Sequence, residues 1–193
     1  MNKNPIVTSM REANTLKEKG DVFLKQALTQ QDSEEKNKLF VKALSEYHKA
    51  NLYLRSIDVS EDKREGMDDL VNGFLEQRVK KTEEDVKNIQ SLKSKIFNNM
   101  SLIYLKQKKI EKVAEYCEKI LKIDESNVKA LQKMVMINIE QDNYERAEGY
   151  IKNLIKTKEV DQSTISSLRD KISSKRKKTD KKLMQGLKNY NLN

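Results

Sequence analysis

Apolar positions recur along this chain at helical spacing, and one stretch of the pattern is written twice. From Lys95 to Asp124 it reads "KIFNNMSLIYLKQKKIEKVAEYCEKILKID", and from Lys129 to Thr157 "KALQKMVMINIEQDNYERAEGYIKNLIKT". A shift of 34 residues lays Phe97 on Leu131, Met100 on Met134, Ser101 on Val135, Val113 on Ala147, Cys117 on Ile151 and Ile120 on Leu154. Apolar character mostly survives that single shift, which marks one structural unit used twice. The polar links "KQKK" and "EQDN" fall at the same place in each copy and divide it into two helices. Asn143, followed by Tyr144 and Glu145, offers a cap-like residue and an early negative charge to the second helix of the later copy.

A longer copy stands upstream. Leu16, Gly20 and Phe23 have the spacing of a first helix, and Ala43, Tyr47 and Ala50 that of a second. Gly20 and Ala43 are 23 residues apart, against about 12 in a 34-residue unit. The surplus, around "ALTQQDSEEKN", must lengthen the helices or the turn, with Asp32 or Ser33 before Glu34 and Glu35 as the second start. In an insertion after this copy, Met67, Leu70, Val71, Phe74 and Leu75 form an amphipathic helical stripe that Gly73 weakens. Thr82 with Asp85 resembles a capping box. The helix it opens carries Val86, Ile89, Leu92, Ile96 and Met100 on one side and runs to about Lys108. A capping helix is expected from Ser163 to Ile172, facing the repeats with Ile165, Leu168 and Ile172. It continues as a long or broken basic helix that regains Leu183, Met184, Leu187 and Tyr190.

The 34-residue period resembles that of the tetratricopeptide repeat (TPR), a helix–turn–helix unit. The resemblance implies an all-α right-handed superhelix of three helix pairs. Small residues would sit at the close contacts, where Ser101, Val113 and Ala147 fit. Asn138 departs from the pattern, standing where the other copy has Tyr104. Units of this kind bury their faces only by stacking, which leaves a concave groove. The expected organisation is a flexible segment 1–9 and a repeat domain 10–172. Its units span about 13–58, 94–125 and 128–158, with an insertion at about 59–81. A basic helical extension follows at 173–193.

Composition agrees with helices: one proline and five glycines in 193 residues, with 36% charged and 36% hydrophobic side chains. The formal charge is +9. Residues 158–193 hold ten Lys or Arg against four Asp or Glu, so most of the excess lies at the C-terminal end. A single cysteine, Cys117, forbids an intramolecular disulfide and suits a reducing compartment. The N-terminal residues lack an apolar run of signal-peptide length, and "MVMINI" is too short to span a bilayer. A cytoplasmic protein without membrane insertion is expected, with cytoskeletal association open.

Three repeats and a terminal helix also resemble the co-chaperone domains that grip acidic peptide ends. Their "K-x-x-x-N" pattern is matched by Lys17 and Asp21 in "KEKGD", their second-unit Asn by Asn99, and their third-unit Lys and Arg by Lys129 and Lys133 in "KALQK". The resemblance implies a two-carboxylate clamp for a heat-shock chaperone tail ending Glu-Glu-Val-Asp. A chain-terminal carboxylate needs convergent donors, and Lys and Asn supply them. Asp21 departs from the pattern by putting an acceptor where a donor is required, and can pair instead with Lys17 one turn away. Lys133 keeps the charge of Arg without its planar fork. The run Tyr47 to Ala50 ("YHKA") and the pair Asn98–Asn99 are similar to the tetratricopeptide repeat protein nine family, whose members are small helical adaptors.

No catalytic machinery is legible. His48 is the only histidine, Cys117 falls on a core position, and no Gly-rich phosphate loop occurs. No enzyme activity, metal or cofactor is expected. A basic patch of Lys171, Lys175, Arg176, Lys177, Lys178, Lys181 and Lys182 is opposed within its span only by Asp180. It suits acidic partners, and the absence of interleaved aromatics counts against base stacking on nucleic acid. The leading expectation is a non-enzymatic adaptor that takes a partner's peptide or helix in its groove. The alternative is a structural subunit of a larger assembly, cytoskeletal or ciliary, contacting partners through groove, insertion and basic tail.

Overall fold

The computed structural model describes residues 4–57 and 81–190, with side chains to residue 185; the expected insertion stripe around Met67 and Phe74 lies outside them. Among the described residues there are seven helices and no strand. They are α1 (Pro5–Thr29), α2 (Ser33–Ile57), α3 (Glu83–Lys106), α4 (Ile110–Ile123), α5 (Val128–Glu140), α6 (Tyr144–Thr157) and α7 (Gln162–Tyr190). They fall into two compact units, residues 1–103 and 104–193.

In the first unit the surplus chain lengthens the helices, not the turn. α1 and α2 each have 25 residues and are joined by residues 30–32 alone. α1 begins at Pro5, inside the segment 1–9 expected to be flexible. The cause is local: Pro5 occupies the first turn, where no N–H is needed, and the Asn4 side chain accepts from the Ile6 N–H at 2.9 Å. Ile6 is buried. The face α1 buries is mostly small (Ala13, Gly20, Ala27), and α2 answers with Ala43, Tyr47 and Ala50, so the two backbones run close together. The Asp32 carboxylate accepts from the Glu35 N–H at 2.7 Å and starts α2 where the sequence indicates.

α3 opens with the expected capping box. The Thr82 N–H donates to Asp85 at 2.9 Å and the Asp85 N–H donates to Thr82 Oγ1 at 3.1 Å. Ile89, Leu92, Ile96 and Met100 are buried, whereas Val86, expected on the same stripe, is 37% exposed one turn from the helix start.

The second unit keeps the 34-residue period in its backbone. Lys108 and Asp142, one period apart, both adopt φ 58°. Their N–H groups reach Leu105 and Ile139 carbonyls at 3.1 and 3.2 Å, and the next N–H groups reach Tyr104 and Asn138 at 2.9 and 2.8 Å. Each is a left-handed helix ending that satisfies otherwise orphaned carbonyls. Asn143 holds the N-cap position of α6, but its side chain makes no capping bond, contrary to the sequence reading; Asn127 does cap α5, accepting from Ala130 at 3.2 Å. Asn138, polar in an apolar place, is buried and donates to the Met134 carbonyl at 2.8 Å within its own helix. Leu131, Val135 and Ile139 of α5, Ala147, Ile151 and Leu154 of α6, and Ile165, Leu168 and Ile172 of α7 form one core. The first turns of α7 thus cover the face that the α5–α6 pair cannot bury alone.

Candidate functional site

In the first unit three donors converge on one carboxylate. α1 sets Lys17 and Asp21 one turn apart, with Lys17 Nζ 2.7 Å from Asp21 Oδ2. The Tyr47 hydroxyl of α2 donates to Asp21 Oδ1 at 2.7 Å. The Asn99 amide of α3 donates to the same oxygen at 2.7 Å and lies 3.2 Å from the Tyr47 oxygen. Burial first, and then the neighbouring Asp21, push the Tyr47 phenol far above its ordinary range, so it stays protonated and donates. Lys17 and Asp21 keep 21% and 27% of their side-chain surface in water. Gly20 makes room for the arrangement: a Cβ there would lie 2.6 Å from the Tyr47 ring.

Three of the five residues expected to hold a peptide, Lys17, Asp21 and Asn99, therefore meet. They meet around Asp21 itself, and the donors meant for a ligand already serve it. Tyr47 was legible as a repeat-spacing residue and as the start of the "YHKA" run. Its hydroxyl, 52 residues from Asn99 in the chain, carried no signal of this role.

Lys129 and Lys133 belong to the second unit, one turn apart on α5. Lys129 is exposed and Lys133 half-buried. Burial, and then the nearby Lys129 charge, hold the Lys133 ammonium below its ordinary value, while Cys117 pulls the other way. Met136 and Glu140 continue the same helical face. They line a groove of about 820 Å³ between α5 and α7, whose other side carries Ser163, Ser167, Asp170, Lys171 and Lys178. Lys175 spans the groove, donating to the Glu140 carbonyl at 3.0 Å and its carboxylate at 2.9 Å. Of the basic patch, Lys171, Arg176, Lys177, Lys178, Lys181 and Lys182 are exposed and Lys175 is half-buried. Leu183 and Met184 follow, 66% and 58% exposed.

Cys117 is buried and His48 exposed. Among the described residues no three His, Cys, Asp or Glu side chains form a group able to hold a metal ion. None of the described helices is long and apolar enough to cross a membrane.

No family model matches the chain. Among solved structures it is similar to the C-terminal TPR-containing domain of a Plasmodium falciparum protein described as FK506-binding. Identity is 22%, the TM-score is 0.61, and the match covers 90% of this chain and 93% of that one. The fold is thus the tetratricopeptide-type all-helical fold that the 34-residue period implies. The likeness reaches the fold and does not single out the narrower protein-nine family.

Proposed function

We propose that this chain is a non-catalytic adaptor whose second unit holds an acidic segment of a partner protein along α5 and α7. One observation carries the reading. Lys129 and Lys133 stand on the α5 face that continues, through Met136, into a groove bordered by Lys171 and Lys178 of α7. Met136 and Ile139 on one wall, Lys171 and Lys178 on the other, and Lys129 and Lys133 farther along α5 suit an extended peptide whose carboxylates need charge-assisted donors.

The first ligand to try is the Glu-Glu-Val-Asp end of a heat-shock chaperone, with Lys129 and Lys133 as donors. Lys17 and Asn99 are assigned no direct part, because both already bond Asp21. Calorimetric titration with that peptide and with its amidated form tests the proposal. Binding that requires the free carboxylate, and that falls about tenfold or more in Lys129→Glu, is expected. Equal affinity of wild type and Lys129→Glu would sink the donor assignment. Silence toward both peptides, with co-purification in a large particle, would replace the adaptor by a structural subunit.

A further inference from the structure

We infer that Asp21 is a built-in ligand: Lys17, Tyr47 and Asn99 form a carboxylate-binding site that the chain fills from within. The first unit is thereby closed to a partner's carboxylate.

The geometry is that of a bound anion. One ammonium, one phenol and one amide, from three different helices, point at the two oxygens of a single carboxylate, each at 2.7 Å. The donors divide as they would around a free carboxylate. Lys17 takes Oδ2, and Tyr47 and Asn99 share Oδ1. A lone i,i+4 ion pair requires neither the phenol nor the amide. Here the phenol is fully buried and its ring lies where only a glycine backbone leaves space. The site is open to solvent at Lys17 and Asp21, about a quarter exposed, so an external anion has a path to it. What stops such an anion is the negative charge already present. A second carboxylate would find its donors engaged and would meet like-charge repulsion. Asp21 therefore acts as a specificity-determining residue. It leaves acidic recognition to other parts of the molecule and permits at this place only partner groups that do not compete for the three donors. This inference concerns donors that the α5 groove does not use, so either reading can fail alone.

Chemical rescue tests it. Asp21→Ala deletes the carboxylate, and formate is that carboxylate without its chain. Thermal unfolding of Asp21→Ala is followed against sodium formate, with sodium chloride at equal ionic strength as control. Formate is expected to raise the midpoint of the variant in a saturable manner and to leave wild type at its chloride value, because a ligand that binds only the folded form stabilises it. The rescue should weaken about ten- to a hundredfold in Asp21→Ala/Lys17→Met, which lacks the charged donor. A variant too unstable to fold in chloride is still informative, since formate should then restore helical circular dichroism. No difference between formate and chloride, in a folded or an unfolded variant, overturns the inference. So does saturable formate binding to wild type detected at the Asn99 side-chain amide resonances.

Discussion

Two glycines in helices illustrate how a single residue's effect depends on what its missing side chain would touch. Gly149 lies inside α6 with nothing within 4 Å of an added Cβ, so Gly149→Ala gains helix propensity alone. It should stabilise by about 0.5–1 kcal/mol in urea unfolding. Gly20→Ala makes the same local gain but drives a methyl to 2.6 Å from a ring that is wholly buried. Overpacking wins, and a net loss of about 1–3 kcal/mol is expected. Tyr47→Phe keeps the ring and removes one donor to a charged acceptor, and should cost about 1.5–3 kcal/mol with little change in circular dichroism. At Lys108 the backbone holds φ 58° without glycine. Lys108→Gly relieves that strain and should raise stability by roughly 1 kcal/mol despite the extra chain entropy.

At the scale of elements, most helix boundaries were readable because their causes are local. Asp32, Thr82 with Asp85, and the two polar links act within four residues of the ends they set. Thr82→Ala should cost about 1 kcal/mol and fray the start of α3, measurable by amide exchange of its first turn. Reading failed where two local options compete. Asn143 looks like a cap, but the left-handed ending one residue earlier directs the chain without its side chain. The N-terminal turn was missed because polar residues there hide a proline start with an asparagine cap. On α4, hydrogen bonds from Lys112 and then Lys119 draw the Glu115 carboxyl down to about 2. A depressed folded-state value stabilises above the ordinary carboxylate range and loses that contribution as pH falls from about 4.5 toward 2. The group is largely solvated, so Glu115→Gln should cost no more than about 0.5 kcal/mol at neutral pH, an effect that shrinks as the titration is taken through that acid range.

Over the whole molecule, charge and stability separate. The formal charge is +9 and the exposed cations of α7 contribute much of it. Reversing two that make no core contact, Lys177→Glu with Lys181→Glu, should leave the unfolding midpoint nearly unchanged. The same change should slow association with an acidic peptide, and the difference should vanish as salt shortens the screening length. An on-rate insensitive to both the reversal and salt would remove α7 from the encounter. Core truncation acts in the opposite way: Leu168→Ala opens the contact through which α7 covers the α5–α6 pair. It should cost about 2–5 kcal/mol, read by urea unfolding, with little effect on the salt dependence of whatever binding survives.

The amino-acid order by itself determined the helices, their period of 34 and the stripes they bury, because periodicity, propensity and capping depend on neighbours within a turn or two. It also brought Lys17, Asp21 and Asn99 to notice by type and spacing. Only the tertiary structure decided what those three do. Tyr47 and Asn99 reach Asp21 across 26 and 78 residues of chain. Whether a carboxylate in that position repels a visitor or takes its place depends on how α1, α2 and α3 register against one another. That register is set by side-chain packing between helices, here the absence of a Cβ at Gly20 beneath the Tyr47 ring.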